Sequence, residues 1–265
     1  MTKKIKKICI LGGGWSNERE ISLKSSNDVF YSLRENGHDV MLYDMREDSF
    51  DALSKFIKIN SIDIVFNLIH GEGGEDGLIQ GYLDEIGVEY CGSGSHASSI
   101  SFNKNLTKQI WKQKNLYTPE FILFNNQTYD DIKIKFGSSF FVKDTCSGSS
   151  NNIYLINNIN DFKNFLKTKD NREYMIEEKI EADEYTAAIL NDDVLPIIKI
   201  ISSNKFYDFD AKYNSNETKF LFPILDEKIV NYINNIILQA FKALGCKTWA
   251  RIDFFIDKDK IVLLE

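Results

Sequence analysis

Apolar and polar positions follow two periods along this chain, and the switches between them mark its elements. Residues 5–11 are a short apolar run ending in Gly12, Gly13 and Gly14, the pattern of a buried strand entering a tight turn. Ser16 then precedes a stretch in which Ile21, Leu23, Val29, Phe30 and Leu33 give an apolar face, closed by Gly37, which predicts a helix. Residues 39–43 and 62–68 read as strands, 78–86 as a helix stopped by Gly87, and 88–91 as a short strand. Strands alternating with helices imply a parallel sheet, so residues 1–95 are expected to form an N-terminal α/β domain.

The pattern then changes. Residues 98–114 predict one helix leading past Thr118-Pro119 into a new region. Residues 140–143, 153–156 and 174–178 are strand-like, with a helix near 161–166, so 96–180 is expected to be a small α+β subdomain. A hairpin is expected from residues 184–190 and 194–201 around Asn191-Asp192-Asp193. Residues 226–244 hold the strongest helical period, from Ile229, Ile233, Ile236 and Ile237 to Ala240, Phe241 and Leu244, with Gly245 as the stop. Residues 249–256 and 261–265 then predict two strands, and 181–265 forms the third division.

Composition narrows the function classes. With 265 residues, 43% hydrophobic and 27% charged, the chain can bury a substantial core and reads as an ordinary soluble protein. A net charge of -7 argues against a nucleic-acid groove, which needs a basic field, but leaves room for a small basic nucleotide pocket. No run approaches the roughly 20 apolar residues of a membrane span. The basic start, residues 1–7, is followed by too short an apolar run for a signal segment. Cys9, Cys91, Cys146 and Cys246 are scattered without a C-x-x-C pair, as free thiols of a reducing compartment would be. The expected location is the cytoplasm, with no nucleic-acid or membrane partner.

Four segments carry candidate chemistry. His70-Gly-Glu-Gly-Gly-Glu-Asp-Gly77 follows a buried strand and opens a helix; its glycines allow close backbone approach, and amides at a helix start favour an anion. The bland alternative is a tight turn with solvated acids. Residues 12–20 share the design but lack G-x-G-x-x-G spacing, because position 17 is asparagine, so a plain dinucleotide site is not expected. Lys143, at a strand end before the small-residue loop Asp-Thr-Cys-Ser-Gly-Ser-Ser150, suits a phosphate grip; an ordinary polar hairpin is the alternative. Arg251 and Asp253 alternate with Ile252 and Phe254 and so share a strand face. An odd-length turn would set Glu265 opposite Asp253 and predict a magnesium site, whereas an even-length turn would put Glu265 on the other face.

Together and in this order, the motifs resemble those of the D-alanine–D-alanine ligases. Residues 11–23, 69–81 and 90–98 match the N-terminal signatures of that family. Asn103-Lys104, the loop 143–150, Glu184-Tyr185-Thr186, Tyr207-Asp208-Phe209-Asp210-Ala211-Lys212-Tyr213, residues 244–253 and Leu263-Leu264-Glu265 continue the match over essentially the whole chain. The resemblance implies an ATP-grasp fold with an N-terminal parallel-sheet domain, and ATP-dependent ligation of two D-alanines through an acyl phosphate, for peptidoglycan precursors. It implies ATP and Mg2+ (or Mn2+) as cofactors and a homodimer. It assigns Glu18 to the ammonium of the first D-alanine, with His70 near it. Lys104, Lys143 and Lys212 fall to ATP phosphates, Glu177 and the backbone of Ile180 to adenine, and Glu184 to ribose. Ser149 and Tyr213 would orient Glu18 and the closing loop, Arg251 would stabilise the tetrahedral oxyanion, and Asp253 and Glu265 would bind the metal. A tyrosine at 213 is similar to the D-alanine-specific members; members making D-alanyl-D-lactate often carry phenylalanine in that loop.

Three departures qualify this. The family continues past the final glutamate with an Asn-x-x-Pro-Gly-Met-Thr stretch that supplies a third metal ligand and binds the second D-alanine, so a shortened chain is expected. Asp144 stands where proline is usual, and Asn151-Asn152 replace a small apolar residue and a glycine. The alternatives are a nucleotide-binding homologue without turnover and a carboxylate–amine ligase with another acceptor.

Overall fold

The computed structural model describes residues 6–148, 152–201, 218–258 and 260–265. The chain divides into two compact units: residues 1–100 with 245–248, and residues 101–244 with 249–265.

The first unit is built on four parallel strands, β1 (Lys7–Gly13), β2 (Asp39–Met45), β3 (Ile64–Asn67) and β4 (Glu89–Tyr90), in the order β2-β1-β3-β4. Helices α1 (Arg19–Glu35), α2 (Phe50–Asn60) and α3 (Leu78–Glu85) connect them, as parallel pairing requires. Leu11 and Val65 of the strands bury against Leu53 and Ile57 of α2 and Ile79 and Leu83 of α3.

Residues expected to form one helix divide into α4 (Ser95–Phe102) and α5 (Lys104–Gln113). Asn103 is extended, and its side chain accepts from the Leu106 amide at 3.0 Å, so it caps α5 and ends the continuous helix.

The second unit holds two antiparallel sheets. One has the order β5 (Phe121–Leu123), β8 (Tyr174–Glu178), β6 (Phe140–Asp144), β7 (Ile153–Ile156). Its apolar face packs Phe140, Val142 and Ile176 against Phe162 and Phe165 of α7 (Ile159–Thr168) and Ile132 of α6 (Tyr129–Phe136). Helix α6 starts at a reciprocal cap between Thr128 and Asp131.

The other sheet runs β12 (Lys219–Leu221), β11 (Ile198–Ile201), β9 (Asp183–Leu190), β13 (Trp249–Asp257), β14 (Lys260–Leu263), with β10 (Asp193–Val194) also on β9. Asn191 and Asp192 both take positive φ, 50° and 69°, making the two-residue loop whose twist suits a hairpin. The strand expected over 194–201 is divided in two by Leu195-Pro196-Ile197, since proline offers no ladder donor. The strongly periodic helix is α8 (Glu227–Ala243), capped by Asp226, whose carboxylate accepts from the Lys228 amide at 2.8 Å. Among the described residues no helix is long and apolar enough to cross a membrane.

Candidate functional site

Strand alternation fixes what the β5-β8-β6-β7 sheet presents away from its aromatic core. Because Phe140, Val142 and Ile176 face that core, Phe141, Lys143, Met175 and Glu177 occupy the opposite face. The register pairs Lys143 with Met175 and Phe141 with Glu177, so Lys143 and Glu177 are diagonal neighbours, and their side chains form an ion pair. Helix α5 lays two further lysines into this region, Lys104 and Lys108, one turn apart on its buried side with Trp111. The Trp111 indole donates to Ala240 O of α8 at 3.2 Å and anchors that side.

Lys108 Nζ donates to Thr118 Oγ1 at 2.7 Å and stands 2.8 Å from Glu177 Oε2. The second contact is one of charge, since no well-directed hydrogen bond reaches Oε2. Lys108 and Glu177 are each 1% exposed, and Lys143 is 7% exposed. Burial presses the Glu177 carboxyl upward, but Lys108 and then Lys143 outweigh it and hold the group below its ordinary range. Burial first, and the charge of Lys143 as well, bring the Lys108 ammonium down to about 8 against the pull of Glu177.

Lys104 begins α5 beside the small-residue loop. Its amide donates to Thr145 O at 2.8 Å, its ammonium donates to Ser147 O, and Nζ lies 3.9 Å from Glu265 Oε2. The two departures from the family pattern meet at the stem of this loop. Asp144 is buried; it accepts from the Cys146 amide at 2.8 Å, from Arg172 Nη1 at 3.1 Å and from Asn152 Nδ2 at 3.4 Å, and its own amide donates to Asn152 O at 3.1 Å. Asn152 has φ 54°, a conformation asparagine tolerates better than most residues, so it serves where glycine is usual.

The last two strands correct the parity argument. Asp257 pairs with Lys260, so the turn is even and the ladder register, extended two residues beyond Phe254–Leu263, would set Glu265 opposite Ile252. A β-bulge intervenes. Leu264 N donates to Asp253 O at 2.8 Å, Glu265 N reaches the same oxygen at 3.4 Å, and Asp253 N donates to Glu265 O at 2.8 Å. Two residues therefore oppose one, and Glu265 comes opposite Asp253 despite the even turn. Asp253 is buried; Thr186 Oγ1 donates to it at 2.6 Å, and Arg251 donates through Nε at 3.0 Å and Nη2 at 2.9 Å. Glu184 lies on the same face of β9 as Thr186, two residues away, and Ile180 lies in the connection from β8 to β9. Asp253 and Glu265 are hard-oxygen donors of the kind a divalent ion such as Mg2+ takes, an ion that needs few protein ligands.

In the first unit, Glu18 is buried beside the glycine-rich turn after β3. Ser16 Oγ donates to His70 O at 2.7 Å and accepts from the Glu18 amide at 3.1 Å. A Cβ on Gly71, which has φ 70°, would sit 2.9 Å from Glu18 Oε2. Glycine at 71 thus leaves space for that carboxylate. His70 Nδ1 is 3.5 Å from Glu75, which chiefly raises its pKa; burial opposes this, and Glu75 and Glu18 add charge attraction. The expected anion at the start of α3 is supplied by the chain itself: Asp76 accepts from the Gly73 amide at 2.7 Å and from Leu78 N at 3.0 Å.

Of the residues singled out from sequence, Lys104, Lys143, Glu177 and Glu265 are linked by ion pairs or shared neighbours, Arg251 binds Asp253, and Glu18 sits by His70 in the other unit. Ser149, Lys212 and Tyr213 lie outside the described residues. Sequence reasoning assigns no role to Lys108, Thr118 or Thr186; the available signal for Lys108 is its i, i+4 spacing from Lys104 on the side of Trp111.

Comparison with known proteins gives one family. The profile of the D-ala D-ala ligase C-terminus matches residues 110–265 and that of its N-terminus residues 46–93. The D-alanine–D-alanine ligase of Mannheimia succiniciproducens is 35% identical over 96% of this chain and 84% of its own length. The crystal structure of the ligase from Bacillus anthracis superposes with a TM-score of 0.83 at 28% identity, covering 98% of this chain and 86% of that one. The same enzyme complexed with ATP gives 0.81 at 25% identity, covering 97% and 84%.

Proposed function

The chain belongs to the D-alanine–D-alanine ligase family, and from that premise we propose that it joins two D-alanines in an ATP-dependent reaction that supplies cell-wall precursors. A carboxylate is a poor electrophile. Transfer of the terminal phosphoryl group to the first D-alanine makes a mixed anhydride, and the amine of the second D-alanine displaces inorganic phosphate. The observation that carries this reading is the buried cluster of Lys104, Lys108 and Lys143. It exceeds the charge of Glu177 and reaches Glu265 of the Asp253–Glu265 pair.

In this reading Lys104 and Lys143 bind phosphate oxygens, with Lys212 as a third cation from outside the described residues. Glu177 accepts from the adenine amino group, the Ile180 backbone meets the ring and Glu184 binds ribose hydroxyls. Asp253 and Glu265 would hold Mg2+ or Mn2+, which when bound neutralises phosphate charge. Arg251, bidentate on Asp253, would stabilise negative charge on the tetrahedral carbon's oxygen. Glu18 holds the ammonium of the first D-alanine beside His70, and the roles of Ser149 and Tyr213, which lie outside the described residues, rest on the family resemblance alone.

Phosphate release from ATP by the full gene product tests this. Release is expected with D-alanine, matched by dipeptide, and not with L-alanine. Nucleotide binding without D-alanine-dependent release would instead mark a non-catalytic homologue, and release with a different amine acceptor would mark another carboxylate–amine ligase. Within the reading, Glu18→Gln is expected to raise the KM for the first D-alanine by roughly 10- to 100-fold, the loss of one charged hydrogen bond. An unchanged KM would displace the amino-acid pocket from Glu18.

A further inference from the structure

We propose that Lys108 is a positioning residue of the nucleotide site: it serves as the standing counter-ion of Glu177, so that Lys143 can leave that carboxylate for a phosphate. The inference rests on the nucleotide reading above and adds a residue to which that reading gives no role.

Lys143 and Glu177 are assigned to opposite ends of one ligand, phosphate and adenine, yet here they are paired with each other. If Lys143 were the only cation on Glu177, its move to a phosphate would strand a buried carboxylate, and that cost would oppose binding. Lys108 removes the conflict. It approaches Glu177 from α5 on the oxygen that Lys143 does not take, Oε2 rather than Oε1, and Thr118 holds its ammonium in place. With Lys108 the trio carries one excess positive charge, and transferring Lys143 to an anion leaves a neutral pair behind. Stability does not explain such a trio, since buried ion pairs can often be replaced by apolar residues without loss.

The test is ATP binding by calorimetry, without D-alanine, on the full protein and its variants, with thermal melting followed alongside. Lys108→Met is expected to raise the Kd for ATP roughly 10- to 100-fold, the range for losing one charged interaction. Adding Glu177→Gln removes the charge that detains Lys143, so Lys108→Met/Glu177→Gln should bind ATP more tightly than Lys108→Met alone. A packing role for Lys108 predicts no such recovery, and a double variant no tighter than the single one overturns the proposal. Thr118→Val, a milder change that removes the acceptor for Lys108, keeps the question open to measurement if Lys108→Met fails to fold; it should weaken ATP binding several-fold, and an unchanged Kd counts against the proposal. If the unaltered protein binds no ATP, the nucleotide reading itself fails. If it binds ATP but Lys108→Met binds equally well, only the role of Lys108 fails.

Discussion

Lys143→Ala is expected to lower kcat/KM for ATP by about 100- to 1000-fold, a loss of roughly 3 to 4 kcal/mol in phosphate stabilisation. The side chain leaves a buried position of β6 on the face away from the aromatic core, and Nζ stands 5.3 Å from the ring centroid of Phe141. The fold should survive the change, because Lys108 still neutralises Glu177 and the aromatic core packs the other face of the strand. The effect is therefore expected in nucleotide affinity and turnover rather than in melting temperature. An ATP titration with unchanged affinity in a folded variant would remove the phosphate role and leave the Glu177 ion pair as what Lys143 is for.

Much of the fold was legible where local signals agree with tertiary packing. Residues 174–178 form a buried strand with the bounds expected of them, and the Asn191-Asp192 hairpin follows from residues that tolerate positive φ. Helix α2 is hard to read although Leu53 and Ile57 give it an i, i+4 pair, because so short a helix shows few turns of the period, and α6 likewise although Thr128 and Asp131 form a reciprocal cap. The three-residue strands β5 and β12 have too few positions for a period to show and owe their existence to the neighbours they pair with. At the site, Lys143 was readable because it ends a strand before a small-residue loop. Lys108 was hidden because the buried side of α5 is largely polar, with Lys104, Asn105 and Thr107 beside it, and so reads as solvated until its carboxylate, 69 positions away in sequence, is placed against it. Asp144 and Asn152 looked like separate departures and prove to be hydrogen-bonded to each other.

The same limit applies at Asp253 and Glu265, where turn length alone gave the wrong register and a bulge restored it. Asp253→Asn is expected to raise the magnesium concentration needed for half-maximal activity and to lower kcat by about 100- to 1000-fold, the several kcal/mol of charge stabilisation a bound metal provides. Asparagine keeps the volume and can still accept from Thr186, so the strand pairing of β13 with β9 should persist. The substitution also weakens the hold on Arg251, whose two donors now rest on the carboxylate. Thr186→Val separates the two consequences, because it removes a hydrogen bond to Asp253 while leaving the charge that attracts a cation and the Arg251 pair. If metal binding is the role of Asp253, magnesium dependence moves strongly in Asp253→Asn and little in Thr186→Val. If Asp253 serves chiefly to aim Arg251, Asp253→Asn lowers kcat with its magnesium dependence unchanged, and the metal assignment falls.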